Sequence, residues 1–251
     1  MPVWLIALRA SITFLTRIPV GGFPYPPKTW EWISIWFPLV GALLGGMQAA
    51  VWLTLSDYSE PTRVIVAVIV GVLVTGGFHE DGLSDSIDAL GGAYDRNNLL
   101  RILKDSRIGA FGALALILAF MLKISLLVDL GHMAPAAFVL SQSLSRALPV
   151  IQLGIQPYVR REDPKSKSRD VARSGRMQAS IAVAWVFIIA GAGFVAGVAS
   201  VIIIGCIVAM VAVGLSFGFY VQRRAGGLTG DFMGALQQFS DIAILFAMVS
   251  A

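Results

Sequence analysis

The chain alternates long apolar runs with polar segments, at lengths that predict membrane-crossing helices. About 20 mostly apolar residues are needed to cross a bilayer. Residues 32–56 meet that length with no charge, 108–128 with Lys123 near one end, and 133–159 with Arg146 inside. Residues 181–221 form about forty uncharged positions, enough for two spans with a turn near Ala199-Ser200. Residues 64–78 are apolar but short and run directly into His79-Glu80-Asp81, and 232–251 is a weaker candidate that contains Asp241. Residues 3–20 carry Arg9 and Arg17, which fits an interfacial or re-entrant helix better than a cleaved signal peptide with its unbroken apolar core. The prediction is an all-α, polytopic transmembrane bundle of about six spans, with this N-terminal helix as a further element. No repeat or linker divides residues 1–251, so they form a single domain.

The polar segments between the runs predict an orientation. Residues 160–177 hold seven basic side chains against three acidic ones, which marks a cytoplasmic loop by the positive-inside rule. Counting spans outward from that loop places residues 79–107, the 223–231 segment and residues 17–31 on the same side. The opposite side receives only 57–63, 129–132 and the turn near Ala199. A transporter needs a route to both sides and commonly shows duplicated or broken spans. One well-furnished face suits an enzyme working at the cytoplasmic surface of the cell (inner) membrane.

Composition agrees. Of 251 residues, 57% are hydrophobic and 14% charged, and the mean hydropathy is +0.78, where soluble domains carry about 25% charge. That balance excludes an ordinary soluble enzyme, a disordered chain and a nucleic-acid-binding protein. The single Cys206, set among Ile and Val, excludes an internal disulfide and any Cys-based zinc site.

The candidate chemistry is concentrated in Gly76-Gly77-Phe78-His79-Glu80-Asp81-Gly82-Leu83-Ser84-Asp85-Ser86-Ile87-Asp88. Asp81, Asp85 and Asp88 stand at i, i+4 and i+7, within an arc of about 60° on a helix. If the helix begun near residue 64 continues through them, three mutually repelling carboxylates line one face where the chain leaves the membrane. No basic residue lies between Arg63 and Arg96 to offset them. Such a face is explained by a bound cation, and all-oxygen ligation favours Mg²⁺ or Mn²⁺ over zinc. The plainer explanation is a solvated acidic face paired with Arg96, Arg101, Lys104 and Arg107. Glu80, off the stripe, is a weaker ligand; His79 is a ligand, an acid–base group or a hydrogen-bonded structural residue.

In Lys104-Asp105-Ser106-Arg107-Ile108-Gly109, Asp105 is placed to complete a metal site and Lys104 and Arg107 to hold phosphate oxygens. Basic residues at a cytoplasmic helix end also satisfy the positive-inside rule without any ligand. Arg146 sits inside a span, where insertion of a charge costs roughly 2.5–3.5 kcal/mol, so it pairs with a carboxylate or binds an anionic substrate. Gly226-Gly227-Leu228-Thr229-Gly230-Asp231 supplies backbone N–H groups and a carboxylate that suit a phosphate or its metal. Metal-binding carboxylates beside Arg, Lys and glycine-rich turns are the apparatus for a diphosphate. No Ser/His or Cys/His nucleophile is evident, so a substrate hydroxyl attacks directly.

These residues resemble the cobalamin synthase (adenosylcobinamide-GDP ribazoletransferase) family. The resemblance rests on Phe14-Leu15-Thr16-Arg17-Ile18-Pro19-Val20, on residues 77–88, on 104–109 with Phe111-Gly112, on Ser145-Arg146, and on 227–231 with Gly234-Ala235, in the family's order over nearly the full length. It implies attack by the 3′-hydroxyl of α-ribazole, or its 5′-phosphate, on the corrinoid-side phosphorus of a GDP-activated aminopropanol arm, with release of GMP. The implied cofactor is Mg²⁺. Asp81, Asp85, Asp88 and Asp105 would be catalytic metal ligands, with Glu80 beside them, and Lys104, Arg107, Arg146 and Asp231 would contact phosphate. Asp88 and His79 are the candidates for deprotonating the hydroxyl. The implied partners are the two small-molecule substrates and the lipid bilayer, with room for a homo-oligomer or association with other nucleotide-loop assembly enzymes. Two alternatives compete. A lipid-headgroup phosphotransferase of the CDP-alcohol type would show Asp-x-x-Asp-Gly-x-x-Ala-Arg, which this chain lacks. A divalent-cation carrier would need acidic groups deep in several spans, where only Asp241 is found.

Overall fold

A computed structural model describes residues 2–159 and 174–251, and among these all ten long regular elements are α-helices. In chain order they are α1 (Val3–Leu15), α2 (Phe37–Thr54), α3 (Glu60–Thr75), α4 (Phe78–Gly92), α5 (Arg96–Ile102), α6 (Ala110–Leu130), α7 (Ala134–Leu153), α8 (Arg176–Val195), α9 (Ser200–Ala225) and α10 (Gly230–Val249). Short 3₁₀ turns lead into α2 and join α6 to α7. Most of the basic loop at 160–177 lies outside the described residues. Its end does not: Ser174 Oγ meets Ser34 Oγ at 2.6 Å, and Gln178 donates to the Glu31 carbonyl at 3.0 Å.

Five stretches are long and apolar enough to cross a membrane, and α3 with α4 adds a sixth if that bent pair is one span. The stretch Ala110–Leu153 contains both α6 and α7. If the two were collinear, Lys123 and Gln142 would stand about 28 Å apart at 1.5 Å per residue. Both instead contact Asp241, so the chain doubles back at Gly131 (φ +50°) and forms a hairpin. The predicted turn near Ala199-Ser200 is present between α8 and α9. At 13 residues α1 is about 20 Å long, too short to cross. The molecule is a multi-pass membrane bundle. Its outer helices turn large apolar side chains such as Leu118, Phe187 and Leu215 outward, where lipid replaces water as solvent.

Small residues set how the bundle closes. Gly41 and Gly45, four apart on α2, let its backbone press on α7: a Cβ on Gly45 would lie 2.7 Å from Phe138 C, and one on Gly41 would overlap Gln142 O. On the other side α4 crosses α10 at Gly82 and Gly234, where a Cβ on either glycine would sit 3.1 Å from the other's Cα. Gly82, a poor helix former, is therefore present for close approach.

One expectation is corrected. The helix begun near residue 64 does not continue through the aspartates. Gly76 and Gly77 both adopt φ +70°, a conformation that favours glycine, and α4 leaves α3 at 87°. Gly76 ends α3 as a left-handed cap, its N–H donating to Val72 O. The aspartates thus ride on a separate helix laid across the polar end of the bundle. There the connecting segments meet as predicted: Arg17 N–H donates to Val74 O (2.7 Å), Arg96 Nε to Ala225 O (2.7 Å), and Leu228 N–H to Pro157 O (2.8 Å).

Candidate active site

A cavity of about 800 Å³ opens at this polar end. Its walls come from the end of α1 and the segment after it (Phe14, Arg17, Phe23, Trp30), the Gly76-Gly77 turn, α4, the segment leading into α6 (Ser106, Ile108) and Leu116 of α6. Glu80, Asp81, Ser84 and Asp85 of α4 face into it, so two of the three striped aspartates share one open site. Glu80 and Asp81 fall in the first turn of α4, where the helix dipole favours negative charge. Asp81 is exposed and Asp85 half-buried.

Asp88 is turned elsewhere. Its Oδ2 accepts from Gly109 N–H at 2.7 Å and its Oδ1 from Gly112 N–H at 2.8 Å. Gly109 is the N-cap of α6 and has no side chain to satisfy the exposed N–H groups of that helix, so α4 supplies the cap from 21 residues away. A Cβ on Gly109 would sit 2.8 Å from Asp88 Cγ, and one on Gly112 would overlap Asp88 and Ser84. The predicted metal ligand Asp88 is thus a helix cap outside the cavity lining, and the Gly109 and Gly112 of its partner block exist to receive it.

Asp105, Lys104 and Arg107 also lie outside the lining. Arg107 is 86% exposed and forks onto Asp105, Nη2 to Oδ2 at 2.6 Å and Nε to Oδ1 at 2.9 Å. The Arg107 hydrogen bonds hold the Asp105 carboxyl at about 2, below its ordinary 3.8. Asp231, in the first turn of α10, packs its backbone against Gly82 and is not part of the lining of this cavity.

Arg146 is likewise not in the open site. It is 3% exposed on α7, and its Nη1 donates to Gln142 O (3.0 Å) and Gln142 Oε1 (2.6 Å). The same Gln142 amide donates to both Asp241 oxygens, at 3.2 and 3.1 Å, and Asp241 pairs with Lys123 Nζ at 2.5 Å. A second chain runs from Ser145 Oγ to Gln237 (2.8 Å), from Gln237 to Gln238 (2.9 Å), and from Gln238 to Glu80 Oε1 (3.0 Å). Arg146 thus joins a buried network shared by α6, α7 and α10, while its Nε is left without a hydrogen-bond partner. Arg146 and His79 line a chamber of about 20 Å³, roughly one water, beneath Phe14 and Phe78. His79, 6% exposed, meets Phe78 edge-on at 5.3 Å and does not reach the open cavity. Asp241, already holding an ammonium, gives the carrier alternative no vacant transport ligand.

Among the described residues no three His, Cys, Asp or Glu side chains converge closely enough to hold a metal ion. Asp81, Asp85, Asp88, Asp105 and Glu80, the ligands that the resemblance implied, are not brought to one point among the described residues. What stands in the cavity is Asp81 and Asp85 at i, i+4, beside Glu80, whose buried Oε2 has no partner. Two carboxylates plus substrate phosphates are a common way to hold Mg²⁺, which keeps several waters and seldom takes an all-protein cage. The donor set fits a magnesium ion shared with a phosphate ligand.

Residues 7–249 match the family model described as cobalamin-5-phosphate synthase. The chain belongs to that family. Among its relatives, a protein of Shewanella amazonensis named adenosylcobinamide-GDP ribazoletransferase is 36% identical over 249 residues, covering 95% of this chain and 93% of the relative. A Shewanella baltica protein of the same name is 36% identical over 257 residues, covering 95% and 92%. No solved structure matches this chain.

For this cobalamin-5-phosphate synthase family member, reasoning from sequence missed the first wall of the site. Arg17 and the aromatics Phe14, Phe23 and Trp30 face the acidic helix from the N-terminal segment. The available signal was an arginine at the polar edge of an apolar helix, in a block already marked by its resemblance. The glutamines that support Glu80 gave no signal, because an amide inside an apolar run has no local pattern.

Proposed function

We propose that the chain is an adenosylcobinamide-GDP ribazoletransferase, acting at the cytoplasmic face of the cell (inner) membrane. It joins the GDP-activated corrinoid to α-ribazole, or its 5′-phosphate. The ribazole hydroxyl oxygen forms a bond to the corrinoid-side phosphorus, the bond to the bridging oxygen breaks, GMP leaves, and the hydroxyl proton passes to water. The observation that carries this reading is the open cavity whose lining brings Asp81 and Asp85 together with an arginine and the aromatic side chains Phe14, Phe23 and Trp30. A ligand suited to it carries a diphosphate and broad flat apolar groups together.

Asp81 and Asp85 would hold Mg²⁺, with Glu80 steadied behind them by Gln238. When bound, the ion neutralises charge on the diphosphate and on the departing phosphate. Phe14, Phe23 and Trp30 shield the reacting phosphorus from water and offer faces for stacking. Asp88 acts at one remove: by capping α6 it fixes Ser106 and Ile108 as the far wall. The cytoplasmic placement is supported by the polar segments gathered at this end and by the basic 160–177 loop.

The test is GMP release by purified protein given both substrates, with Mg²⁺ and with a chelator. Release that needs both substrates and Mg²⁺ is expected; a protein that hydrolyses or ignores the corrinoid-GDP contradicts the assignment.

A further inference from the structure

We infer that Arg17 grips the diphosphate of the activated substrate and is a specificity-determining contact for it. This rests on the transferase reading above and gives the arginine of that cavity a defined task.

A diphosphate brought against Asp81 and Asp85 meets like charge, so the site needs a cation from the protein as well as any ion the substrate carries. Among the described residues that line the cavity, Arg17 is the one Arg or Lys. Lys104 and Arg107 stand outside it, and Arg146 lies beneath, in the separate small chamber. Arg96 and Arg224 are spent on the carbonyls of Ala225 and Ala93.

Arg17 is also held in place. Its backbone N–H is tied to Val74 O at 2.7 Å. The neighbouring Thr16 hydroxyl donates to Ile12 O (2.7 Å) and accepts from Ile18 N–H (3.1 Å), locking the turn that ends α1. The guanidinium lies across Gly76, where a Cβ would overlap Arg17 Nε and sit 2.8 Å from Cζ. Gly76 thus has two reasons to be glycine: its left-handed backbone and the space that the guanidinium occupies. A planar fork on a rigid backbone, in the same cavity as two carboxylates, suits two-pronged binding of phosphate oxygens better than an ammonium would.

The experiment uses the full chain in detergent or nanodiscs, with wild type, Arg17→Met and Arg17→Lys. Steady-state GMP release is measured against each substrate, and binding of a fluorescent GDP analogue is measured with Mg²⁺. Arg17→Met is expected to raise KM for the corrinoid-GDP and weaken the GDP analogue by about 10- to 100-fold, the range of one hydrogen-bonded charge contact. KM for α-ribazole should stay within roughly twofold. Arg17→Lys should fall between Met and wild type, and it decides the matter if the Met variant does not accumulate. Wild-type KM and analogue affinity in either variant overturn the inference, as does an equal rise in both KM values, which marks a structural role. A wild-type protein that binds the analogue but releases no GMP sinks the transferase reading itself, and this inference falls with it.

Discussion

Two sets of carboxylates in this protein live under opposite conditions. Asp241 has no solvent exposure and answers to Lys123 and Gln142 at 2.5 to 3.2 Å. Asp81 and Asp85 face an open cavity of about 800 Å³. In the bundle interior a lone charge is costly, so the carboxylate there is surrounded by its own donors and has nothing left for a ligand. At the cavity the helix end and water make charge tolerable, and the carboxylates keep a side turned to whatever enters. A charged residue in a membrane protein therefore points to chemistry only after its partners are known. Asp88 is the intermediate case: it belongs to the cavity's helix by sequence and to the packing of α6 by contact.

Substitutions on either side of this divide should separate activity from stability. The largest effect is expected at the open site. Asp81→Asn and Asp85→Asn should each lower GMP release by about 10³-fold, roughly 4 kcal/mol of transition-state stabilisation, while the thermal unfolding midpoint of purified protein stays at the wild-type value. Near-wild-type turnover would remove these residues from the chemistry. At the buried pair the pattern should reverse. Asp241→Asn leaves Lys123 and Arg146 poorly compensated and should cost about 3 kcal/mol of stability, seen as a lowered unfolding midpoint with little change in KM. The paired change Lys123→Met with Asp241→Leu should recover most of that loss.

Asp88→Ala removes two charge-assisted hydrogen bonds from the start of α6 and should cost about 2 kcal/mol. The unfolding midpoint reports it, and turnover should drop only through looser placement of the α6 wall. The smallest effect is expected at Asp105 and Arg107. The folded Asp105 carboxyl titrates at about 2 against an ordinary 3.8, so its stabilising contribution is complete above about pH 4 and is lost only as pH falls towards 2. Arg107 is exposed and Asp105 only half-buried, so Arg107→Ala should leave stability and activity unchanged between pH 6 and 9, as thermal melts and GMP release would show.

Much of the fold was legible because bilayer thickness writes itself into run length: the runs at 32–56, 108–128, 133–159 and 181–221 all became helices. The gathering of polar segments at one end followed from counting those runs. The site was only half legible. Asp81 and Asp85 are read correctly as sharing a face because i, i+4 is a local relation. The 87° break was hidden because a pair of left-handed glycines redirects a helix without disturbing the apolar pattern on either side. The capping role of Asp88 was not legible because its donors, Gly109 and Gly112, lie 21 and 24 residues further along the chain. Arg146 shows both limits in one residue: its Gln142 partner lies one helical turn away, whereas Asp241 is 99 residues from that glutamine.

The most direct measurement is the structure of the full chain with the GDP-activated substrate and Mg²⁺ bound. The expected result is a diphosphate lying between Arg17 and the Asp81–Asp85 face of α4, with the ion on those carboxylates. A nucleotide seated instead at Lys104 and Arg107, or metal held by Asp88 after it has left the α6 N-terminus, would contradict it.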